Sequence, residues 1–171
     1  LNKGIIGIGW ETSKTISDNS IDYESIFNNY SNFIGSPKLS SFEKYVRSYN
    51  QINKDDLIWT RTGNEYYLCR FTGEKVDYYR EKMSKEEIEE HDKYDIWHGL
   101  KCEFIRVGTQ ESVTGTIVNI FCAGGIRHFA SNVEKTKEFS MRLYNKLTKT
   151  KYYDIDEELS IDIDNMKAEE L

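Results

Sequence analysis

The sequence predicts an α+β domain built as a small mixed, mostly antiparallel β-barrel with helices packed outside it. Two features of the 171-residue chain predict this fold class. Apolar residues follow strand-like patterns in about five short segments, most of them in the middle of the chain. The segments on either side of that region carry apolar residues at helical spacing. A chain of this length is long enough to bury a core.

The predicted order begins with one strand and two helices. Lys3–Trp10 is short, apolar and interrupted by glycines, as in a buried strand. Asp18–Phe33 has an apolar side at helical spacing, and a break follows at Gly35-Ser36-Pro37. The second helix is predicted over Ser41–Tyr49, because an S-x-x-E capping box marks its start.

The middle of the chain predicts a β-hairpin. Its strands are Asp56–Arg61 and Glu65–Thr72, and the turn residues Thr62-Gly63-Asn64 separate them. Val76–Tyr79 is predicted as a further strand after the break at Gly73.

Two more strands and a last helix complete the predicted order. The strands are Trp97–Val107 and Ser112–Phe121, and the helix is Ser131–Lys149. The charged stretch Glu81–Lys93 is predicted as a solvated helix or loop. These segments divide the chain into a domain at residues 1–130, a C-terminal helix at residues 131–150 and an acidic tail or linker at residues 151–171.

The net charge of −6 is concentrated at the C-terminal end. Residues 154–171 carry eight acidic side chains and one lysine, so the rest of the chain sums to +1. A body near neutral charge permits weak or local contact with DNA, which the net charge alone disfavours. No apolar run approaches the roughly 20 residues of a membrane span, so we expect no membrane partner and a cytoplasmic location.

Neither the cysteines nor the histidines have the spacing of a metal site. Cys69, Cys102 and Cys122 lack C-x-x-C spacing and are expected to be reduced thiols of a cytosolic protein. His91 and His98, followed by Cys102, give H-x6-H-x3-C, which matches no usual zinc pattern. We therefore expect no metal and no cofactor.

The glycine-rich opening GIIGIGWETSKT looks like a phosphate-binding loop but lacks the required glycines. A P-loop ending at Lys14 needs glycines where Ile8 and Ser13 stand, and a dinucleotide fingerprint needs a third glycine at Thr12. No serine or cysteine lies in a nucleophile elbow such as G-x-S-x-G. Glu11, Lys14 and Thr15 at the end of the first predicted strand suit either a proton-transfer group or an ordinary polar loop, which is the commoner case. No catalytic residue is therefore predicted.

Aromatic residues make up 13% of the chain, enough to suspect a binding surface besides the core. Trp10 ends the first predicted strand. In the first hairpin strand, Leu57, Trp59 and Arg61 share one face. Such a face suits two interpretations: a barrel mouth where tryptophan and arginine sandwich a planar group, or a tryptophan that anchors the core.

Several segments resemble the EVE-like branch of the PUA superfamily, and are similar to the N-terminal domains in front of restriction endonucleases of the Mrr and McrB kind. The opening IIGIGW corresponds to a family strand that reads like I-A-I-G-W. Asp55–Trp59 stands for the family's G-D-L-V strand, and Tyr67–Gly73 stands for the partner strand, which reads like Y-I-G-R-V-T-G. Trp97–Val107 is similar to the strand after a charged insertion. The resemblance covers residues 3–130.

The resemblance implies a PUA-like barrel that holds an extruded base in an aromatic pocket, as related YTH domains hold a methylated adenine. Gly7 and Gly9 would let the backbone approach a flat ligand, and stacking would offset the cost of flipping a base. No catalytic residue, cofactor or metal is implied, and DNA is favoured over RNA as the partner. The implied base-binding residues are Trp10, Thr15, Ser17, Trp59, Arg61, Tyr67 and Trp97, and the implied phosphate-binding residues are Lys14, Lys101 and Arg106.

Domains of this kind select the target of a defence or restriction protein. A nuclease or motor domain is therefore expected in the same chain or in a partner chain, and a first residue other than Met is consistent with a piece of a longer protein. Two departures leave open which base is bound. Lys14-Thr15-Ile16 stands where restriction-associated relatives often carry Gly-Asp-Leu, and Asp55 replaces the glycine of G-D-L.

Two alternatives remain open at this point. The first is an amidohydrolase acting on modified nucleosides, similar to ASCH domains of the same superfamily, for which Glu11, Lys14 and Thr15 supply the residue types. The second is a protein-interaction domain whose acidic tail and last helix contact a partner.

Overall fold

A computed structural model describes residues 4–9, 46–94, 96–122 and 134–155. In these residues four strands form one antiparallel sheet in the order β1-β4-β3-β2. The strands are Ile5–Ile8 (β1), Leu57–Thr62 (β2), Glu65–Asp77 (β3) and His98–Gly108 (β4). The α+β class and the antiparallel pairing are confirmed, while the PUA-like barrel stays a prediction.

Among the described residues, one helical segment precedes β2, one helix lies between β3 and β4, and two helices follow β4. Residues 46–51 are helical. The helices with defined ends are Lys85–Tyr94 (α1), Gly115–Cys122 (α2) and Glu134–Thr148 (α3), and short 3-10 turns cover Arg80–Lys82 and Gln110–Ser112. None of the helices in the described part has the length and apolar composition that a bilayer span requires.

The chain forms two compact units. The first unit contains Leu1–Asp56 and Phe71–Glu103, and the second contains Leu57–Arg70 and Phe104–Leu171. Strands β3 and β4 each contribute residues to both units. The predicted division of the chain at residues 130 and 150 stays a prediction.

The predicted hairpin is confirmed, and its second strand is longer than expected. Thr62 pairs with Glu65 across a two-residue loop, and Gly63 has a φ of 58° at the first loop position, as a type II′ turn requires. Strand β3 does not end at Gly73 but continues to Asp77. Gly73 has a φ of 96°, so only a residue without Cβ lets the strand pass this point unstrained.

The predicted strand Ser112–Phe121 is wrong, because this segment contains a 3-10 turn and helix α2. Its β-branched residues favour a strand by propensity. However, Val113, Ile117 and Phe121 recur at four-residue spacing and pack together in the core of the second unit. Burial of that helical face outweighs the local preference.

The other predicted elements agree with the structure where it describes them. Strand β1 lies inside Lys3–Trp10, and β4 agrees with Trp97–Val107 to within one residue at each end. Helix α3 lies inside Ser131–Lys149, and the charged stretch is helix α1, which buries none of its residues. The helical residues 46–51 overlap the predicted Ser41–Tyr49, and the predicted helix Asp18–Phe33 lies outside the described residues.

The core of the second unit lies between the hairpin and helices α2 and α3. Each fully buried Leu, Ile or Phe side chain contributes about 1.5–3 kcal/mol to folding. Partly buried residues, among them Leu57 and Trp59, pack against this core. Its buried members are Tyr66, Leu68, Val113, Ile117, Val118, Phe139, Leu143 and Tyr144.

In the first unit, Tyr49 ties the helical residues 46–51 to the sheet. Its ring is fully buried, and its hydroxyl donates to the carbonyl of Gly99 at 2.9 Å. The Lys75 ammonium donates to the carbonyls of Tyr49 and Asn50 at 3.1 and 3.4 Å. A cation at these last carbonyls of a helix satisfies acceptors that have no partner within the helix. Burial lowers the pKa of Lys75, although Asp77 partly opposes that shift.

Candidate functional site

The predicted site residues divide into three groups. Four of them, Trp10, Lys14, Thr15 and Ser17, lie outside the described residues. Trp59, Arg61, Tyr67 and Arg106 belong to the second unit, whereas Trp97 and Lys101 belong to the first.

Trp59 anchors strand β2 to helix α3. Its indole N–H donates to Ser140 Oγ at 2.8 Å, and its ring stacks on Phe139 with a centroid distance of 6.3 Å and an interplanar angle of 15°. The Ser140 hydroxyl in turn donates to the carbonyl of Thr136 at 2.6 Å. The structure thus gives Trp59 the contacts of a core anchor, and its contact with a base stays a prediction.

Arg61 lies on the same face of β2 as Trp59, as predicted. Its guanidinium carbon is 5.9 Å from the centroid of the Tyr66 ring and 5.8 Å from that of Phe121. A hydrogen bond with the Tyr66 side chain raises the pKa of Arg61, and Cys122 raises it further. Arg61 therefore stays positively charged beside two aromatic rings.

Tyr67 is not brought together with Trp59 and Arg61. In the hairpin register Tyr67 pairs with Thr60, while Trp59 pairs with Leu68. Because side chains alternate between the two faces of a strand, Tyr67 lies on the opposite face from Trp59. These two rings therefore do not form two walls of one cage.

The two described residues that were predicted to bind phosphate are paired with carboxylates. Arg106 donates through Nε and Nη2 to the two carboxylate oxygens of Glu65 at 2.7 and 2.9 Å, and this pairing raises the pKa of Arg106. Lys101 forms an ion pair with Glu74. A phosphate would bind the remaining N–H donors of these cations and compete with the carboxylate for their charge.

Trp97 is only 3% exposed. Arg80 and His91, which also connect helix α1 to the rest of the first unit, contact its ring. The guanidinium of Arg80 lies 4.8 Å from the Trp97 ring centroid, and Arg80 also bonds both carboxylate oxygens of Asp92 at 2.6 and 3.2 Å. The His91 ring lies 5.6 Å from Trp97 and 4.1 Å from Tyr78. Since α1 buries none of its own residues, these side-chain contacts and the Arg80–Asp92 ion pair attach it. Base contact by Trp97 stays a prediction.

Neighbouring atoms of Ile96 and His98 fill the space next to Gly7. Gly7 pairs with Gly99 across β1 and β4. A Cβ at Gly7 would lie 2.4 Å from the Ile96 side chain and 2.6 Å from the His98 carbonyl oxygen. The side chain of Ile96 thus occupies the place that a side chain at residue 7 would need, and the approach of a flat ligand to the backbone of Gly7 and Gly9 stays a prediction.

His98 and Cys102, two residues of the H-x6-H-x3-C pattern, are both buried. His98 is fully buried, and its Nδ1 lies 2.7 Å from Asp77 Oδ1. Within the described part of the chain, no group of three or more potential ligands could hold a metal ion. Burial raises the pKa of the Cys102 thiol to about 12, so this cysteine stays protonated and is a poor nucleophile at neutral pH.

The turn before β2 has a backbone conformation that sequence reasoning did not foresee. Asp56 N–H donates to the carbonyl of Asn53 at 3.0 Å, and Asn53 N–H donates to the Asp56 carboxylate at 2.8 Å. Asp55, the third residue of this turn, has a φ of 72°. A four-residue turn with positive φ at its third position favours glycine or asparagine there.

A second unforeseen feature is the turn that follows α3, which we call the Asn145 turn (residues 149–153). Thr150 N–H donates to the Asn145 carbonyl at 3.1 Å. The Asn145 side chain donates to the Tyr153 carbonyl at 2.8 Å and accepts from Tyr153 N–H at 3.0 Å. Lys149 has a φ of 56°, so it occupies the left-handed position that ends many helices.

Arg70 connects this turn to the sheet. Its Nε and Nη1 donate to the hydroxyls of Tyr144 and Tyr152, both at 2.9 Å. The rings of Tyr144, Tyr152 and Tyr153 contact one another at centroid distances of 5.1–5.7 Å. The sequence feature that could have indicated this turn is the pair of tyrosines after Lys151. Both tyrosines were assigned to the acidic tail instead.

No protein family, curated protein or solved structure that was compared with the chain matches it.

Proposed function

We propose that the chain is a non-enzymatic nucleic-acid reader. It binds a modified or flipped base of DNA and serves as the specificity domain of a defence or restriction protein. The observation that carries this proposal is the left-handed backbone of Asp55. The EVE-like pattern has a glycine at this position, and a positive φ is the physical reason to require one.

Backbone hydrogen bonds next to Asp55 support the same correspondence between this chain and the EVE-like pattern. Asp55 N–H donates to the Phe71 carbonyl at 2.9 Å, and Phe71 N–H donates to the Asp56 carbonyl at 3.0 Å. The two segments that resemble the family's paired strands are thus paired here. Gly73, at the family's T-G position, also has a positive φ.

In this proposal the two residues on one face of β2 have different roles. Arg61 contacts the base, because a guanidinium beside aromatic rings offers a flat cationic surface on which a base can stack. Trp59 positions that strand through Ser140 and Phe139. Base contact by Trp10, Thr15 and Ser17 stays a prediction, because these residues lie outside the described part of the chain.

The test is a panel of short duplexes that differ only in one central base, which is unmodified, methylated or mismatched. We expect weak binding to the unmodified duplex and a clear gain for one altered base, since an unpaired base is flipped at lower cost. With a body charge near +1, the salt dependence should correspond to on the order of two to four released ions. Equal and steeply salt-dependent binding to every duplex would overturn the proposal.

Arg61 and Arg106 provide matched variants for this panel. Arg61→Gln should reduce the preference for the favoured base, because it removes a base contact. Arg106→Gln should weaken binding to all duplexes equally, because a phosphate contact carries no sequence information. If the two variants had the same effect on every duplex, Arg61 would not be a base contact.

A further inference from the structure

We infer that the Asn145 turn is a binding site for single-stranded nucleic acid, with Tyr152 as a stacking platform and the lysines of the turn as phosphate contacts. This inference rests on the proposed function for the class of ligand. It adds a second surface that binds without regard to sequence.

The first argument is that the turn is held in one conformation. Asn145 bonds Thr150 at one end of the turn and Tyr153 at the other. Lys149, Lys151 and Tyr152 therefore lie in one short loop that is held by Asn145, which bonds Thr150 through its backbone carbonyl and Tyr153 through its side chain. A site fixed before the ligand arrives loses less conformational freedom on binding.

The second argument is the tyrosine at the tip. Tyr152 is 45% exposed, yet its hydroxyl accepts a hydrogen bond from Arg70 and the Arg70 guanidinium lies 4.6 Å from its ring centroid. An exposed ring that is held in place can stack on an unpaired base, and such stacking tolerates any sequence. Bases inside a duplex do not offer a free face, so the ligand is single-stranded.

The third argument is charge. Residues 139–153 contain no acidic side chain, although the whole chain has a net charge of −6. Lysines at positions 146, 149 and 151 are exposed. The basic residues of this stretch are Arg142, Lys146, Lys149 and Lys151. Arg142 forms an ion pair with Glu138, so the phosphate contacts are assigned to the three lysines. The acidic side chains of the tail begin at Asp154, directly after the turn, and their charge opposes this binding. Exposed cations next to an exposed ring fit a phosphate backbone with unpaired bases better than they fit an acidic peptide, which has nothing to stack.

Helix α1 offers a matched control with the same residue types. Lys93 Nζ lies 5.7 Å from the Tyr94 ring centroid, and Tyr94 is 57% exposed. The helix around this pair is strongly acidic, with Glu86, Glu87, Glu89, Glu90 and Asp92. An exposed lysine and tyrosine alone should therefore not bind nucleic acid there.

The experiment measures binding of a fluorescently labelled oligothymidine of about 12 nucleotides by anisotropy at low salt. We expect Tyr152→Ala to weaken binding roughly tenfold or more, and Tyr152→Phe to keep binding within about threefold because it keeps the ring. Lys151→Gln should weaken binding and lower the salt dependence by about one ion. The controls Tyr94→Ala and Lys93→Gln should leave binding unchanged.

Lys149→Gly separates binding from folding. Glycine suits the left-handed position at residue 149, so the variant should be at least as stable as the parent. It also removes one cation, so it should bind the oligonucleotide more weakly. Unchanged binding by Lys149→Gly, Lys151→Gln and Tyr152→Ala together would overturn the inference, as would an oligoglutamate peptide that competes as well as unlabelled oligothymidine.

The duplex panel distinguishes a failure of this inference from a failure of the proposed function. A preference for one altered base that survives Tyr152→Ala, without oligothymidine binding, would overturn the second surface and leave the reader intact. Oligothymidine binding that depends on Tyr152, without any base preference, would support the second surface and overturn the reader.

Discussion

The indole N–H of Trp59 donates a 2.8 Å hydrogen bond to Ser140 Oγ. Because Ser140 also donates to the Thr136 carbonyl, the hydroxyl links a strand side chain to the backbone of α3. Trp59 packs against the core of the second unit, and the Phe139 ring of that core stacks on its indole.

This contact predicts a graded response to substitutions of Trp59. Trp59→Phe keeps an aromatic ring but loses the donor, and should lower the free energy of unfolding by about 1–2 kcal/mol. Trp59→Ala also removes the packing against Phe139 and should cost about 3–5 kcal/mol. Urea denaturation measures both. If Trp59→Ala kept its full stability and lost only nucleic-acid binding, Trp59 would be a base contact rather than an anchor.

The positive φ of Asp55 predicts which side chains are tolerated in the turn before β2. Asp55→Asn should change the free energy of unfolding by less than about 0.5 kcal/mol, since asparagine tolerates the left-handed region. Asp55→Val should lower it by about 2 kcal/mol or more, because a β-branched residue is strained there. Thermal and urea unfolding of the two variants checks this, with Lys54→Val as a control in the same turn. Equal stability of the two Asp55 variants would contradict the backbone conformation.

The cysteines should differ in reactivity with a thiol reagent. Cys69 and Cys102 are buried and Cys122 is exposed. Burial raises the pKa of Cys102 to about 12, so its reactive thiolate is scarce at pH 8. We expect one fast-reacting thiol in the native protein and three after denaturation. Cys122→Ser should abolish the fast phase, and a fast phase that remains would show that a buried cysteine is accessible.

Removing residues 154–171 should strengthen non-specific DNA binding at low salt, because it removes a charge of −7. A chain that ends at Tyr153 keeps both bonds between Asn145 and Tyr153, so we expect little change in melting temperature. The effect on binding should shrink as salt is added. A large fall in melting temperature would show that the removed segment packs on the folded protein.

The hairpin could be predicted because its signals are local. Gly63 and Asn64 occur between two alternating segments, and the turn type selects these residues independently of the rest of the fold. Helix α2 was mispredicted for the opposite reason. The choice between strand and helix at Ile117 and Val118 depends on the surface against which they pack.

The candidate site was predicted only in part for similar reasons. The shared face of Trp59 and Arg61 follows from strand alternation, which is a local property. The hydrogen bond to Ser140 spans 81 positions of the chain, and the bond between Arg70 and Tyr152 spans 82. Contacts over such separations leave no periodic signal in the sequence.

The two units of this protein are interleaved along the chain, since each consists of two separate stretches. No single cut separates the two units from each other, and a break at any of the three crossings divides the chain of at least one unit. Neither unit can therefore be expressed as one continuous stretch of the chain without residues of the other unit. An insertion between 56 and 104 would also interrupt one of the units, so fusion partners are best attached at the ends of the chain.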